Sequence, residues 1–380
     1  MDFDWTDEQR TIRQAAAEFA ERELWPGFAE RDEAGRFDRG LWQKLADYGL
    51  LGTTVPAEYG GRARPLAELI LALEGIGYGC PDVGLGLSIG AHLWGAVEPI
   101  ACDGTDDQKR TCLPPLIDGR WIGAHNVTEW ETGSDVNAMT TTATESPEGW
   151  AINGTKSYIT NGPVANVHVV YCRLDVPDRK RLVCLIVPPD TPGVRVRRLS
   201  TIGTQTSALG EVIFEDCRVG PEAVLGKAGA AASLFQAAIE KERALIFAPI
   251  IGAMQRQLEL AVDHAKHRIA FGQPIGSFQA VSHRIARMAM RLEIARLLLY
   301  KVTWLKGRGA KAPMESAAAK VTISEAFLES SADLIRTYGG AGYLKQTGVE
   351  HFLRDAAGGV LFSGTNDILH TIIARQLGLG

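Results

Sequence analysis

Most of the signatures that would announce a metal, a phosphate loop or a serine nucleophile are missing from these 380 residues. There are only six cysteines, at Cys80, Cys102, Cys112, Cys172, Cys184 and Cys217. None forms a CxxC pair, and no Cys/His cluster has zinc spacing, so they read as reduced, mostly packed thiols of a cytoplasmic protein. No GxxxxGK[ST], HExxH or GxSxG occurs, which argues against a P-loop kinase, a zinc protease and a serine hydrolase. Charge of one sign is not in excess. Forty Lys and Arg against 45 Asp and Glu give a formal net charge of -5, too mild a balance to attract nucleic acid or an anionic membrane. No uninterrupted apolar run approaches the ~20 residues of a spanning helix, so no membrane partner is expected. The opening MDFDWTDEQR is acidic, without the apolar stretch of a secretory signal.

What is present is enough apolar material for a large core, 46% of the chain, in three textures. Residues 1–120 read as helical. Thr6 with Gln9 and Thr105 with Gln108 form capping boxes, and glycines end the apolar-periodic stretches between them. Residues 121–225 hold short runs rich in Val, Ile, Thr and aromatics, such as GWAINGTKSYIT, ANVHVVYCRL, KRLVCLIVPP and LGEVIFEDCRV. Gly, Pro, Asn and Asp separate these runs, which predicts antiparallel strands. Residues 226–380 turn helical again. Ile285, Met288, Leu292, Ala295 and Leu299 step by three and four, as do Ile251, Met254, Leu258 and Val262, the stripes of bundle helices. The fold class expected is α+β: an N-terminal helical domain, a middle antiparallel β domain and a C-terminal four-helix bundle.

Two features invite functional readings that the pattern does not support. GLGLSIG at 84–90 has GxGxxxG spacing, follows no strand and sits in a helical region, so close helix packing explains it better than dinucleotide binding. His264 and His267 share a helix face, but no carboxylate completes a metal site there.

Four stretches carry chemistry. The first is Asn126-Val127-Thr128-Glu129 followed by Gly133-Ser134-Asp135. The second is Ser157-Tyr158-Ile159-Thr160-Asn161-Gly162. The third runs from Arg268 through Phe271-Gly272 to Phe278-Gln279. The fourth comprises Tyr338-Gly339-Gly340-Ala341-Gly342-Tyr343, Leu353-Arg354-Asp355 and Phe362-Ser363-Gly364-Thr365-Asn366-Asp367. In order and spacing, over essentially the whole chain, they resemble the acyl-CoA dehydrogenase family. The resemblance implies FAD as cofactor and oxidation of an acyl thioester between its α and β carbons.

Donors to a flavin ring would come from the hydroxyls of Thr128 and Thr160, with His125, Asn126, Val127 and Ile159 beside them. Tyr158 would cover one ring face, where family members often place Trp. Small residues at Gly133 and Ser134 suit a pyrophosphate, with Ser134 also near substrate. In the family, Arg268, Gln279, Gly339 and Gly340 reach the FAD of a neighbouring subunit, which implies a homodimer or homotetramer, and Phe271, Phe278 and Arg336 join the expected cofactor set. Thr365, Asn366 and Asp367 complete the expected cofactor set.

The resemblance fails at one position. Many family members carry the catalytic glutamate just before the Gly-Thr of the fourth stretch, and here that residue is Ser363. A hydroxyl cannot take a proton from carbon at neutral pH unaided. A second branch places the base on another helix, directly before an arginine. Glu240-Lys241-Glu242-Arg243 occupies that place, followed by the apolar Ala244-Leu245-Ile246-Phe247-Ala248. Glu242 is therefore the expected base, and Arg243 is expected to hold either Glu242 or the acyl group. The resemblance puts a flavin ribityl hydroxyl and the backbone N–H at Ser363 on the thioester oxygen, with Gly364 also in the substrate set, and a backbone donor survives the change of side chain.

Gln279-Ala280-Val281-Ser282-His283-Arg284-Ile285-Ala286 and the stretch from Arg291 to Leu299 resemble the L-prolyl-carrier-protein dehydrogenases. That branch turns a carrier-tethered proline into a pyrrole by two successive oxidations during natural-product synthesis. The implied partners are an acyl thioester on a peptidyl or acyl carrier protein and, as electron acceptor, an electron-transfer flavoprotein or oxygen. A short or branched acyl-CoA is the alternative substrate, and a catalytically degenerate binding protein the alternative role.

Overall fold

The computed structural model describes residues 5–175 and 181–379. Met1 to Asp4 of the acidic opening, Lys180 at the head of one expected strand and Gly380 lie outside the described residues.

The N-terminal helices are α1 (Asp7–Glu23), α2 (Phe28–Glu33), α3 (Arg39–Tyr48), α4 (Leu66–Gly79), α5 (Val83–His92), α6 (Glu98–Asp103) and α7 (Asp106–Ile117). Both expected capping boxes form. The Thr6 and Thr105 hydroxyls accept from the backbone N–H of Gln9 and Gln108, and each Gln side chain returns to its cap. The GLGLSIG stretch lies within α5, a buried helix in which a Cβ on Gly84 would come 2.3 Å from Thr206 Oγ1. Its glycines serve close packing, Gly84 against the β domain and Gly86 and Gly90 against Pro249 and Ile246 of the C-terminal helices.

The strands are β1 (Gly123–Asn126), β2 (Thr142–Ser146), β3 (Gly149–Thr160), β4 (Val167–Leu174), β5 (Leu182–Val187), β6 (Val194–Arg198) and β7 (Leu209–Val219). They form one sheet in the order β1-β4-β2-β3-β7-β6, with β5 also on β4. Hairpin-type antiparallel pairs dominate, but β1 and β2 run parallel to β4, with Gly123 opposite Val167 and Thr142 opposite Arg173. These two pairings join segments that no tight turn connects, so local turn chemistry could not announce their direction. A small pair, β8 (Ile269–Ala270) and β9 (Gln273–Pro274), projects later in the chain.

The C-terminal helices are α8 (Ala231–Leu245), α9 (Ala248–His267), α10 (Gln279–Gly307), α11 (Pro313–Tyr338), α12 (His351–Gly359) and α13 (Asn366–Gln376). Along α10, Met288, Leu292, Ala295 and Leu299 are buried, as the spacing predicts. By length and composition, Ala231–His267 could cross a membrane, yet 67% of its most apolar window is buried inside the protein, as befits bundle helices. The N-terminal and C-terminal helices share one hydrophobic core. α4 packs so tightly on α9 that a Cβ on Gly77 would meet Pro249 O at 1.8 Å and one on Gly252 would meet Glu74 O at 2.0 Å. The six thiols are free and all but Cys102 are buried.

At the seam of the three regions, Asp355 of α12 accepts from the Thr204 backbone N–H and is almost fully buried. Burial pushes its carboxyl up to about 8. The folded value exceeds the unfolded one, so this group's stabilisation is complete in acid and is lost as pH rises through about 8. Asp355→Asn keeps the acceptor and removes the titration. It is expected to raise the melting temperature by a few degrees at about pH 9 and to change it little at about pH 5. Equal shifts at both values in thermal scans would show that Asp355 is ionised in the folded protein.

Candidate active site

Helix α8 ends in the run Glu240-Lys241-Glu242-Arg243, and the structure gives the four side chains separate tasks. Glu240 pairs with Lys306 and accepts the Ala312 N–H at 2.7 Å. Lys241 pairs with Glu98 of α6. Both are spent on fastening α8 to its neighbours. Glu242 has no Lys or Arg partner among the described residues. It is 8% exposed, and Ser363 Oγ donates to its Oε1 at 2.7 Å. Its other oxygen, Oε2, lies 3.6 Å from His125 Nδ1. A nearly buried carboxylate that accepts from one hydroxyl and faces an imidazole, with no Lys or Arg paired to it among the described residues, is the arrangement of a proton acceptor.

Arg243 does not pair with Glu242, one of the two roles expected of it. The two side chains point apart, Glu242 toward Ser363 and His125 and Arg243 toward Gly364. The Arg243 side chain is buried, its Nε has no hydrogen-bond partner, and a Cβ built on Gly364 would lie 3.8 Å from that nitrogen.

The segment facing Glu242 is bent to present Ser363, whose φ is +55°, followed by Gly364 at +94°. Such a conformation costs of order 1 kcal/mol or more for serine, and it is fixed from both sides. On one side Phe362 stacks on Phe247, with ring centroids 5.1 Å apart. On the other, Asn366 Oδ1 accepts from Lys320 Nζ at 2.8 Å and from Ser324 Oγ at 3.2 Å, both from α11. Thr365 caps α13, its hydroxyl accepting from Ile368 N. Lys320 is fully buried, and burial, aided by the nearby Arg243, pushes its ammonium down to about 7. The side chain of Asn366, expected at the cofactor, is thus committed to holding this turn, while Asp367 is exposed.

His125 departs similarly from expectation: its imidazole points at Glu242. Asn126 is buried, its Nδ2 donating to Ala124 O at 3.0 Å and facing His168 Nδ1 at 3.3 Å, and Val127 belongs to a hydrophobic cluster. What these three can offer a ligand is backbone. Just beyond β1, Thr128 is half-buried, and its carbonyl accepts from Ser157 N at 2.8 Å, which brings the first and second stretches together. Tyr158 has φ +58°, which turns its ring outward to 48% exposure at a register shift between β3 and β7. Trp130 meets Tyr158 edge-on at 4.7 Å and donates its indole N–H to Glu211. The aromatic surface here therefore has two members, and Trp130 was not among the expected residues. Ile159 is buried, Thr160 is half-buried and ends β3, and Gly133 and Ser134 lie in an exposed turn.

The third group is elsewhere. Arg268 caps the end of α9, Phe271 is 95% exposed, and Phe278 meets it edge-on at 6.0 Å. Gln279 begins α10 and is exposed. His264 stacks on Tyr338 at 4.0 Å, which sets this corner beside Gly339 and Gly340. A Cβ at either glycine would meet nothing within 4 Å, and Arg336, with its nearest carboxylate on Asp333 at 3.4 Å, is also exposed. α9 has 20 residues, so this corner stands about 30 Å along the helix from the Phe247 end beside Glu242.

These residues fit a flavin. The fit rests on Ser157 Oγ, a buried hydroxyl without a partner, on the outward Tyr158 and Trp130 rings, and on the hydroxyls of Thr128 and Thr160 nearby.

Comparison with known proteins agrees. The acyl-CoA dehydrogenase N-terminal, middle and C-terminal domains match residues 6–120, 124–217 and 232–378. An L-prolyl-[peptidyl-carrier protein] dehydrogenase of Pseudomonas fluorescens is 38% identical over 383 residues, covering 100% of both chains. The crystal structure of the prolyl acyl carrier protein oxidase AnaB superposes with a TM-score of 0.97 at 36% identity, covering 99% of this chain and 100% of that one. The FAD complex of PigA superposes with a TM-score of 0.96 at 34% identity, covering 100% of both.

Proposed function

The chain belongs to the acyl-CoA dehydrogenase family, and we propose that it oxidises an aminoacyl thioester, specifically a prolyl group, tethered to a carrier protein. It is an FAD-dependent oxidoreductase acting on a CH–CH bond. FAD, when bound, supplies the acceptor for the hydrogen and electron pair that leave the β-carbon. The observation that carries the reading is Glu242, nearly buried and uncommitted to any cation, facing Ser363 and His125.

In this reading Glu242 takes the α-proton. The backbone N–H groups at Ser363 and Gly364 face the thioester oxygen, where negative charge develops as that proton leaves. Thr128, Tyr158, Ile159 and Thr160 hold the flavin ring, with backbone from His125, Asn126 and Val127. Gly133 and Ser134 serve its phosphates, and Thr365 and Asp367 complete the cofactor side. The corner at Arg268, Phe271, Phe278, Gln279, Arg336, Gly339 and Gly340 stands about 30 Å along α9 from the base. A second copy of the chain would bring it to the cofactor, which is the reason to expect a homodimer or homotetramer. The electron acceptor in this reading is an electron-transfer flavoprotein or oxygen, and the compartment is the cytoplasm.

Anaerobic bleaching of the flavin tests the substrate. Prolyl-loaded carrier protein is expected to bleach it, while free proline, isovaleryl-CoA and butyryl-CoA leave it coloured. Bleaching by butyryl-CoA alone would replace the carrier reading with a short-chain acyl-CoA dehydrogenase. A protein that purifies colourless and takes up no FAD would be a binding protein on this fold.

A further inference from the structure

The two oxygens of Glu242 have different neighbours. Oε1 already accepts a hydrogen bond from Ser363, whereas Oε2 faces His125 Nδ1 at 3.6 Å. The imidazole is wedged in place. Tyr171 of β4 meets it edge-on at 5.3 Å, and Phe235 of α8 lies tilted at 6.3 Å. Behind it, Gly95 of the π-helical segment Leu93–Val97 approaches so closely that a Cβ there would sit 2.5 Å from His125 Cβ. The far nitrogen, Nε2, is buried without a partner. The titratable groups around the ring are thus Glu242 and the buried Tyr171 hydroxyl. A residue needed only to fill this space would pack as well without nitrogen, so one that aims a nitrogen at the base invites a chemical explanation.

Converting a prolyl thioester to a pyrrole takes two oxidations, and each needs a proton acceptor. Glu242 can accept only one proton. After the first step it is a carboxylic acid, covered by the substrate, and the second step cannot use it until that proton has gone. Resting on the prolyl reading given above, we propose that His125 relieves Glu242 of its proton between the two oxidations. In the first step the Cα–H bond breaks, its electron pair forms the new double bond, and the proton goes to Oε2. A hydride leaves the β-carbon for FAD. The Oε2–H bond then breaks toward Nδ1, which gives an imidazolium and restores the carboxylate. With oxygen or an electron-transfer flavoprotein as the oxidant that would return FAD to its accepting form, Glu242 would take a second ring proton while a second hydride passes to FAD. His125 acts through Glu242 and does not touch the substrate.

The alternative is that His125 only orients Glu242. His125→Asn separates the two, because the asparagine amide can still donate toward Oε2 but cannot accept and hold a proton. The holoenzyme is given prolyl-loaded carrier protein, and the mass of the loaded carrier is followed with time. The wild type is expected to take away four hydrogens. In His125→Asn the rate of the second oxidation relative to the first should fall about a hundredfold, a typical contribution of a positioned acid–base group, so that a carrier lacking two hydrogens accumulates. Added imidazole should restore the second step, which mere loss of packing would not allow. Flavin absorbance of the purified variant checks that cofactor is retained. An unchanged ratio of the two steps, or a wild type that stops after two hydrogens, overturns the proposal while leaving the dehydrogenase reading intact. A wild type that takes no hydrogen from the prolyl carrier removes that reading, and the proposal with it.

Discussion

Glu242→Gln is expected to abolish anaerobic flavin bleaching by prolyl-loaded carrier, with a loss of about 10³- to 10⁴-fold in the reductive rate. Glutamine keeps the shape of the side chain, and its amide oxygen can still accept from Ser363 Oγ, which the wild-type carboxylate holds at 2.7 Å. What it lacks is an oxygen basic enough to take a proton from carbon. The neighbours cannot substitute. Glu240 is tied to Lys306 and the Ala312 N–H, and Lys241 to Glu98. Ser363→Ala should behave differently. It removes one donor to the charged base, an interaction of about 1.5–3 kcal/mol at most, and leaves the backbone N–H and the bend in place. The variant should therefore keep most of its bleaching rate. Ser363→Gly, which relieves the positive φ of 55°, is expected to be no worse than the alanine variant. Rapid bleaching by Glu242→Gln together with a dead Ser363→Ala would move the base away from α8.

Glu242 could be singled out in the sequence because a branch of the family carries its base directly before an arginine, and Glu242-Arg243 keeps that pattern. The caps at Thr6 and Thr105 were legible because their signals are local. The partners of Glu242 were not legible in the same way. His125 reaches Glu242 only because β1 lies parallel to β4, a pairing between segments with no turn to announce it. Ser363 reaches it across 121 residues of chain, and its bend depends on Lys320 and Ser324, which in sequence look like ordinary positions of a long helix. Trp130 follows directly on the Val127-Thr128-Glu129 run, yet only the fold shows that it meets Tyr158.

The second large effect lies beneath the loop that follows β1, at a buried ion pair. Lys156 is fully buried, and its Nζ donates to Glu129 Oε1 at 2.9 Å and to Val127 O at 2.8 Å. Glu129 also accepts from Thr140 N at 2.7 Å, Thr140 Oγ1 at 2.7 Å and Thr141 N at 2.9 Å. Burial alone would push the carboxyl up, but the Lys156 ammonium and these donors outweigh it and hold Glu129 down at about 2. Its folded value is below its unfolded one, so the stabilisation is complete above the usual glutamate range and is lost as pH falls through it toward 2. The pair closes both ends of the loop that carries Thr128, Gly133 and Ser134. Lys156→Met strands a buried carboxylate and is expected to cost about 3–5 kcal/mol, whereas Lys156→Met with Glu129→Gln removes both charges and should recover a good part of that loss. Denaturant titration of the three proteins checks the ranking. The single variant should also purify with less flavin, because Thr128 sits between the two residues this lysine binds. If Lys156→Met melts with the wild type and holds its full complement of FAD, the ion pair is not what shapes the loop.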